Sequence, residues 1–432
     1  MSPSLEHRIA VPRQGRNPAL SVRCLRNSAV ALFASLAMIA GGAAAAEPRR
    51  DAISGQEKTG LLIFSDGFEL RSATVDGPGD GSPGFAGRWT SIAIGRDGLP
   101  VISYMAGNLT SSFLRVAKCG DARCAGPAQI TTVDNAGAEV ANTGTSIAIG
   151  ADGLPVISYG SRTALSMKVI KCGNAACSGG NVITTIDDQT PDDVSTYSSI
   201  AMGSDGLPIV SYFNSSLQTL KVVKCGNAAC SAGNQTSTLS GPDTVITSGQ
   251  NTSIRIGGDG LPIVSYNTST ASNFTLKTVK CGNLACSSGN VISTVDDPAN
   301  AVGDYNAMVM GSDGFPVIAY RDITARSVKV AKCGNATCTS ANTITTVDDS
   351  GNGIDIAIAL ATNGRPVIVQ RNLNAGQIVM THCGNSACSS GNKRSVLEAN
   401  IDAEHLSIAI GADGVPIVSY YDFDARSLKV AR

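Results

Sequence analysis

Twelve of the 13 cysteines fall into six pairs at a single spacing, C-x4-C: Cys119 with Cys124, Cys172 with Cys177, Cys225 with Cys230, Cys281 with Cys286, Cys333 with Cys338, and Cys383 with Cys388. Thiols this close can supply half of a metal site or form a disulfide. The residues between them are mostly Gly-Asn-x-x, as in CGNAAC, which is turn chemistry. Five of the six pairs have no histidine nearby to complete a zinc set. An even number of paired cysteines is the pattern of an exported chain. Each pair is therefore expected to staple a tight hairpin, contributing roughly 2 kcal/mol by the chain-entropy argument.

Other reactive groups are sparse. Past residue 46 the chain has two histidines, His382 and His405, and no Ser-His-Asp grouping, HExxH motif, P-loop or dinucleotide fingerprint. His382 stands where other repeats have Lys and reads as a solvated residue. Aspartate is plentiful, so paired carboxylates for glycosidase chemistry stay open. Asp76, Asp134, Asp187, Asp296 and Asp348 close similar TTVD-like runs. They read as local turn acceptors rather than a calcium rim, since no D-x-D-x-D-G run accompanies them. No cofactor is predicted, with calcium the one weak alternative.

The elements that must position these groups come from a repeat. The phrase SIAIGADGLPVISY recurs seven times, with its turn at Asp97-Gly98, Asp152-Gly153, Asp205-Gly206, Asp259-Gly260, Asp313-Gly314, Asn363-Gly364 and Asp413-Gly414, spaced by 55, 53, 54, 54, 50 and 50 residues. Each unit holds four Val/Ile/Thr-rich runs separated by Asp-Gly or Cys-Gly-Asn turns. No segment shows a convincing helical period. Four short strands per unit, seven times over, predict an all-β, seven-bladed β-propeller. The last unit stops at Arg432 after its third strand, while Leu70–Asp76 (LRSATVD) resembles a fourth strand. An N-terminal strand that completes the last blade closes the ring, which an open solenoid would not need. The domain reading is a signal peptide over 1–46, an N-terminal extension over 47–69 carrying a possible hairpin arm, and the propeller over 70–432.

Alternating strand directions assign faces. The start of strand one and the ends of strands two and four share one face, termed the top. Strand two ends in Tyr104, Tyr159, Tyr212, Tyr266, Tyr320 and Tyr420, with Gln370 the exception; a residue repeated this way reads as blade packing rather than a binding ring. Departures from the repeat are better binding candidates. Two residues before the strand-one Ser or Ala stand Trp89, Gly144, Tyr197, Asn251, Tyr305, Asp355 and His405, and Arg321, Arg371 and Tyr421 follow strand two in blades five to seven. Trp89, Tyr197, Tyr305, Arg321, Asp355, Arg371, His405 and Tyr421 form the candidate sector, suited to sugar rings or extended polar peptides. The plain alternative is ordinary rim residues. Arg255 replaces a small inner-strand residue (Ala93, Ala148, Ala201, Ala409) and must reach the channel or find a partner.

Composition and targeting bound the function. The 33 basic and 34 acidic residues give a net charge of −1, which leaves no excess for nucleic-acid binding. Residues 1–46 read as an export signal: five arginines, the apolar run AVALFASLAMIA and an A-x-A site before Glu47. Removing it takes Cys24 with it and leaves 28 basic against 33 acidic residues. No other run approaches the ~20 apolar residues of a membrane span. The expected protein is a secreted, periplasmic or cell-surface monomer.

The repeat phrase, with its LKVAKCGNAACSSGN continuation, resembles tandem repeats of exported bacterial proteins without an assigned activity, a likeness that implies a propeller and carries no functional residues. The G-x-D-G-x-P turn loosely resembles the Asp-box of sialidases, S-x-D-x-G-x-x-W, but lacks the Trp. The remaining sialidase set has thin support, since the blade glutamates are just Glu139, Glu398 and Glu404. The architecture is also distantly similar to seven-bladed lectins. Three functions follow as expectations: a non-catalytic propeller that binds a glycan or an extracellular protein, a sialidase-like glycoside hydrolase, or a disulfide-stapled structural module.

Overall fold

Each repeat is cut into four strands by two kinds of turn, and both turns stabilise themselves locally. In the first, Gly98 adopts φ +76°, a conformation that favours glycine, and the Asp97 carboxylate accepts the Leu99 N–H at 3.1 Å. The last residue of strand three closes the same turn: Lys118 donates to Asp97 at 2.8 Å, and Lys171, Lys224, Lys280 and Lys332 pair equivalently with Asp152, Asp205, Asp259 and Asp313. Arg432 does so with Asp413 in the last repeat.

In the second kind of turn, all six C-x4-C pairs are disulfides, as the spacing predicts. Cys119 is bonded to Cys124, Cys172 to Cys177, Cys225 to Cys230, Cys281 to Cys286, Cys333 to Cys338, and Cys383 to Cys388. The turn differs in one respect from what its Gly-Asn sequence suggests. Its left-handed residue is the second cysteine rather than the glycine, with φ +50° at Cys124, +51° at Cys177, +53° at Cys230, +52° at Cys286, +55° at Cys338 and +52° at Cys388. The asparagine supports that conformation: Asn174 accepts the N–H groups of Ala176 and Ser178 on either side of Cys177, at 3.1 and 3.0 Å.

A computed structural model describes residues 62–63, 69–70, 72–78, 84–108, 111–134, 144–194, 196–240, 252–269, 274–297 and 301–432. Residues 1–46, read from sequence as an export signal, lie outside them, as do most of residues 47–69, Asn251 and Glu139. The described part contains seven four-stranded antiparallel sheets, which form a seven-bladed β-propeller, and one two-stranded pair. The innermost strands are Phe85–Ile94, Thr145–Ile149, Thr196–Met202, Ser253–Ile256, Val302–Met310, Gly353–Leu360 and Ala403–Ile410. Closure is by strand exchange between the ends of the chain. Ser72–Asp76 is the fourth strand of blade seven, pairing Ser72 with Ala431 and Ala73 with Val430. Within the extension, Leu62–Ile63 pairs with Glu69–Leu70.

The hydrophobic core is divided among the blade interfaces. One cluster combines Val156 and Val169 of blade two with Ile200, Val210 and the disulfide of Cys225 and Cys230 in blade three. The staples are thus buried core members as well as hairpin ties. Polar contacts follow the same seam. The strand-one serine accepts the inner N–H of the next blade, as Ser91 does from Ile147 at 3.2 Å and Ser146 from Ile200 at 3.1 Å, which pairs an otherwise bare strand edge. Strand-two serines meet a polar residue of the next blade, as in Ser103–Thr145 at 2.8 Å and Ser265–Asn306 at 2.7 Å. Where strand two carries Ala319 or Val369 instead, the facing residue is Ile356 or Leu406, and the seam becomes apolar. At these seam positions the polar partners are kept or replaced together.

The repeated tyrosine packs between blades. Tyr104 donates to Asp76 at 2.5 Å and Tyr320 to Asp296 at 2.6 Å, with Tyr159–Asp134 and Tyr212–Asp187 equivalent. A cation from the same blade as the tyrosine joins each carboxylate: Arg115 at 2.9 Å, Lys168 at 3.4 Å, Lys221 at 2.5 Å and Lys329 at 3.6 Å. At the single blade without the tyrosine, Gln370 donates to Asp348 in its place. The strand-four aspartates therefore do more than bond locally. Asp76 accepts the Gly77 N–H with one oxygen and clasps the next blade with the other.

Candidate functional site

A backbone irregularity near the top of strand one builds the site. In blade one, Arg88 pairs with Met105 and Ser91 with Ser103, so Trp89 and Thr90 together oppose Tyr104 alone. The same two-against-one bulge places Tyr197, Tyr305, Asp355 and His405 opposite Tyr212, Tyr320, Gln370 and Tyr420. In every case the first bulged residue is left-handed: φ is +56° at Trp89, +46° at Tyr197, +48° at Tyr305, +48° at Asp355 and +59° at His405. Glycine usually fills that position in such a bulge, because a side chain there is strained by about 1–3 kcal/mol. Blade two lacks the bulge: Thr145 pairs directly with Tyr159, and Gly144, at the matching sequence position, is not left-handed.

The strained residues share one cavity. A concavity of about 870 Å³ at the centre of the top face is lined by Trp89, Tyr197, Tyr305, Asp355 and His405, together with Arg88, Arg371, Glu404, Phe423 and Arg255. Trp89 stacks against His405 with ring centres 3.9 Å apart and meets Tyr197 edge-on at 6.3 Å, reaching across blade two, where Gly144 has no side chain. The aromatic groups therefore form a wall around the cavity rather than a sector of the rim. Arg88 lies over Phe85 at 4.7 Å and over Tyr421 at 5.4 Å. Arg371 pairs with Asp402 and approaches Glu404 at 3.8 Å.

Two of the sequence candidates stand back from the cavity lining. Tyr421 is buried, edge-on to Phe85 at 6.5 Å and to Phe423 at 6.2 Å, where it supports Arg88 from behind. Arg321 donates to Asn352 at 2.5 Å and pairs with Asp304 at 3.5 Å, bracing the bulge of blade five. Arg255 lines the cavity from blade four, where its Nη1 donates to the Ile254 carbonyl at 2.7 Å. Arg88, Glu404 and Phe423 were not among the sequence candidates. Arg88 and Glu404 each directly precede a bulge residue, and that adjacency was the available signal.

Electrostatics separate the roles of the lining groups. The Asp355 side chain is half-buried and opens onto the cavity. Desolvation pushes its carboxyl up to about 7; Arg371 opposes the rise, while Glu404 and Asp304 add to it. Desolvation, with help from Arg88 and Arg371, brings His405 down to about 3, so its imidazole is neutral at physiological pH. Burial also raises the Tyr305 and Tyr197 phenols, with nearby carboxylates adding to the effect. The cavity thus offers aromatic faces, neutral hydroxyl and imidazole groups, arginines and a carboxyl that titrates near neutrality. Among the described residues, no group of three or more His, Cys, Asp or Glu side chains is placed to hold a metal ion.

No family model matches the chain, and no curated protein matches it either. Solved structures are similar in shape. A protein of unknown function from Dyadobacter fermentans superposes with a TM-score of 0.51 at 11% identity, covering 84% of this chain and 98% of its own. The NanB sialidase of Streptococcus pneumoniae gives 0.46 at 9% identity over 83% and 70% of the two chains. An alpha-L-arabinanase of Penicillium chrysogenum, complexed with arabinobiose, gives 0.48 at 9% identity over 66% and 91%. The likeness is one of fold.

Proposed function

We propose that this protein is a secreted, monomeric carbohydrate-binding propeller that holds a saccharide in its central top cavity. The observation that carries the reading is the set of five left-handed, non-glycine bulge residues aimed into one cavity. At the cysteines a left-handed side chain serves a staple, whereas these five converge on one cavity, and strain of this kind gathers at binding and catalytic sites. Trp89, Tyr197 and Tyr305 supply faces for sugar C–H groups, and His405, Asp355 and Glu404 supply hydrogen bonds to hydroxyls. The six disulfides suit an oxidising compartment, which supports export. Among the described residues, no helix is long and apolar enough to cross a membrane.

The test is a glycan array followed by calorimetry on the hits, with an extracellular-protein pull-down in parallel. Saccharide binding that weakens at least about tenfold in Trp89→Ala and Tyr305→Ala is the expected result. Binding to no glycan, or binding unchanged in both variants, overturns it, and a protein hit lost in the same variants would reassign the cavity to a peptide.

One observation favours a second reading. A carboxyl held near pH 7 beside Glu404 has the poise of a general acid, the requirement for glycoside hydrolysis. Turnover of a fluorogenic glycoside panel that disappears in Asp355→Asn would establish hydrolysis. Inactivity across the panel leaves binding alone.

A further inference from the structure

Arg255 occupies an inner-strand position that Ala93, Ala148, Ala201, Ala359 and Ala409 fill in five other blades and Val309 in the sixth. The scaffold therefore accepts a small side chain there. Strand one runs from the top face inward, so Arg255 lies beyond the bulge residues, where the cavity wall includes Ala201, Met202, Ile256 and Ala307. Its guanidinium has five N–H donors. One of them is spent on its own blade, in the 2.7 Å bond to the Ile254 carbonyl. Among the described residues no carboxylate comes within ion-pairing distance of it, and burial disfavours its charged form with no acid to offset that effect.

The other two cavity arginines are committed. Arg371 is held by Asp402 and Glu404, and Arg88 is sandwiched against Phe85 and Tyr421. Arg255 is partly buried in the cavity wall and keeps its charge there, with no counter-charge in reach among the described residues. An anionic group arriving from the cavity mouth would meet several unused donors on Arg255 and form charge-assisted hydrogen bonds with them.

We propose that Arg255 is the anion anchor at the base of the cavity, and that the saccharide bound there carries an acidic substituent: a carboxylate, a sulfate ester or a phosphate ester. This rests on the saccharide reading given above. The sugar ring lies against the Trp89–His405 wall and its acidic group points inward to Arg255.

Calorimetry with glucose, glucuronate, glucose 6-sulfate and glucose 6-phosphate, and with the matching neutral and acidic members of any glycan-array hit, tests the assignment and separates the three anions. The acidic members are expected to bind about tenfold or more tightly than the neutral one, with the preference lost in Arg255→Ala and partly kept in Arg255→Lys. Arg255→Ala reproduces the residue of the sibling blades and so is compatible with folding. Neutral and acidic sugars that bind alike, or a preference that survives Arg255→Ala, overturn the inference while leaving the saccharide reading intact. Should no sugar bind at all, thermal shift with inorganic sulfate and phosphate decides: stabilisation greater in the native protein than in Arg255→Ala supports the anion site, and equal stabilisation, the general effect of such salts, overturns it.

Discussion

The Tyr104 hydroxyl donates to the Asp76 carboxylate at 2.5 Å, although Asp76 ends the N-terminal strand that completes blade seven and Tyr104 ends strand two of blade one. The bond therefore crosses the seam where the ring closes, and the same pair recurs at the seams between blades one and two, two and three, and four and five. Blade three ends in Ser240 at the aspartate position and blade six in Glu398, which lies beside Tyr420.

The clasp should matter most where it is most buried, at Tyr212, Asp187 and Lys221. Tyr212→Phe removes one hydrogen bond and should lower stability by about 1 kcal/mol. Asp187→Ala strands the buried Lys221 ammonium and should cost about 3 kcal/mol. Urea titration of both variants measures the difference, and equal losses would mean that the lysine finds another partner.

The bulge positions reverse an ordinary ranking. In most strands alanine is more stabilising than glycine, but at Tyr305, with φ +48°, glycine should be the better truncation. Tyr305→Gly is expected to be more stable than Tyr305→Ala by about 1 kcal/mol, with both losing saccharide binding. Thermal melts of the two variants give the order directly.

Two sets of carboxyls pull stability in opposite directions with pH. At Asp97, Asp152, Asp205, Asp259 and Asp313, partial burial would raise the pKa, but hydrogen bonds from the strand-three lysines and the turn N–H groups outweigh it and hold these groups below the usual carboxylate range. Their contribution is present above about pH 4, the unfolded value, and fades as pH falls through the folded values. Asp355 behaves oppositely. Its folded value near 7 lies above the unfolded one, so the folded state takes up a proton between about pH 4 and 7, and that stabilisation is lost as pH rises through 7. The melting temperature should therefore peak on the acid side of neutrality, and Asp355→Asn should flatten the decline above it. A native profile flat from about pH 5 to 8 would count against the Asp355 assignment.

The staples should act one blade at a time. Paired Cys172→Ser and Cys177→Ser replacements remove one short loop and should cost roughly 2 kcal/mol. The broken staple also packs with Val101, Val116 and Ile147 in one interface cluster, so hydrogen exchange should rise at the blade one–two seam before other seams are affected. Uniform loosening around the ring would contradict this.

The ring, its seven blades and the strand exchange at Ser72–Asp76 were legible because every copy of a repeat votes for the same turn and the same strand. The variable positions Trp89, Tyr197, Tyr305, Asp355 and His405 were legible as departures from that repeat. Their convergence was not, because nothing in the local preferences of Trp, Tyr, Asp or His announces a left-handed bulge. That same bulge breaks the strand alternation, so a face assignment made by counting residues does not separate buried Tyr421 from cavity-lining Arg88 and Phe423. The aspartate clasp was half visible: a local turn bond can be inferred from ATVDG at Ala73–Gly77, but the partner tyrosine lies 25 residues away for Asp187 and 28 for Asp76.

Because each bulge turns one side chain of its blade into the cavity, the cavity behaves like a set of sockets on a common hub. Exchanging the residue in one socket rewrites part of the surface that a ligand meets, and most directly affects its cavity neighbours, as Trp89 does His405. Blade two, with its regular register, has no such socket, and Gly144 leaves open space beside the cavity wall. Within this architecture, a change of recognition is therefore a matter of single substitutions rather than of loop grafts.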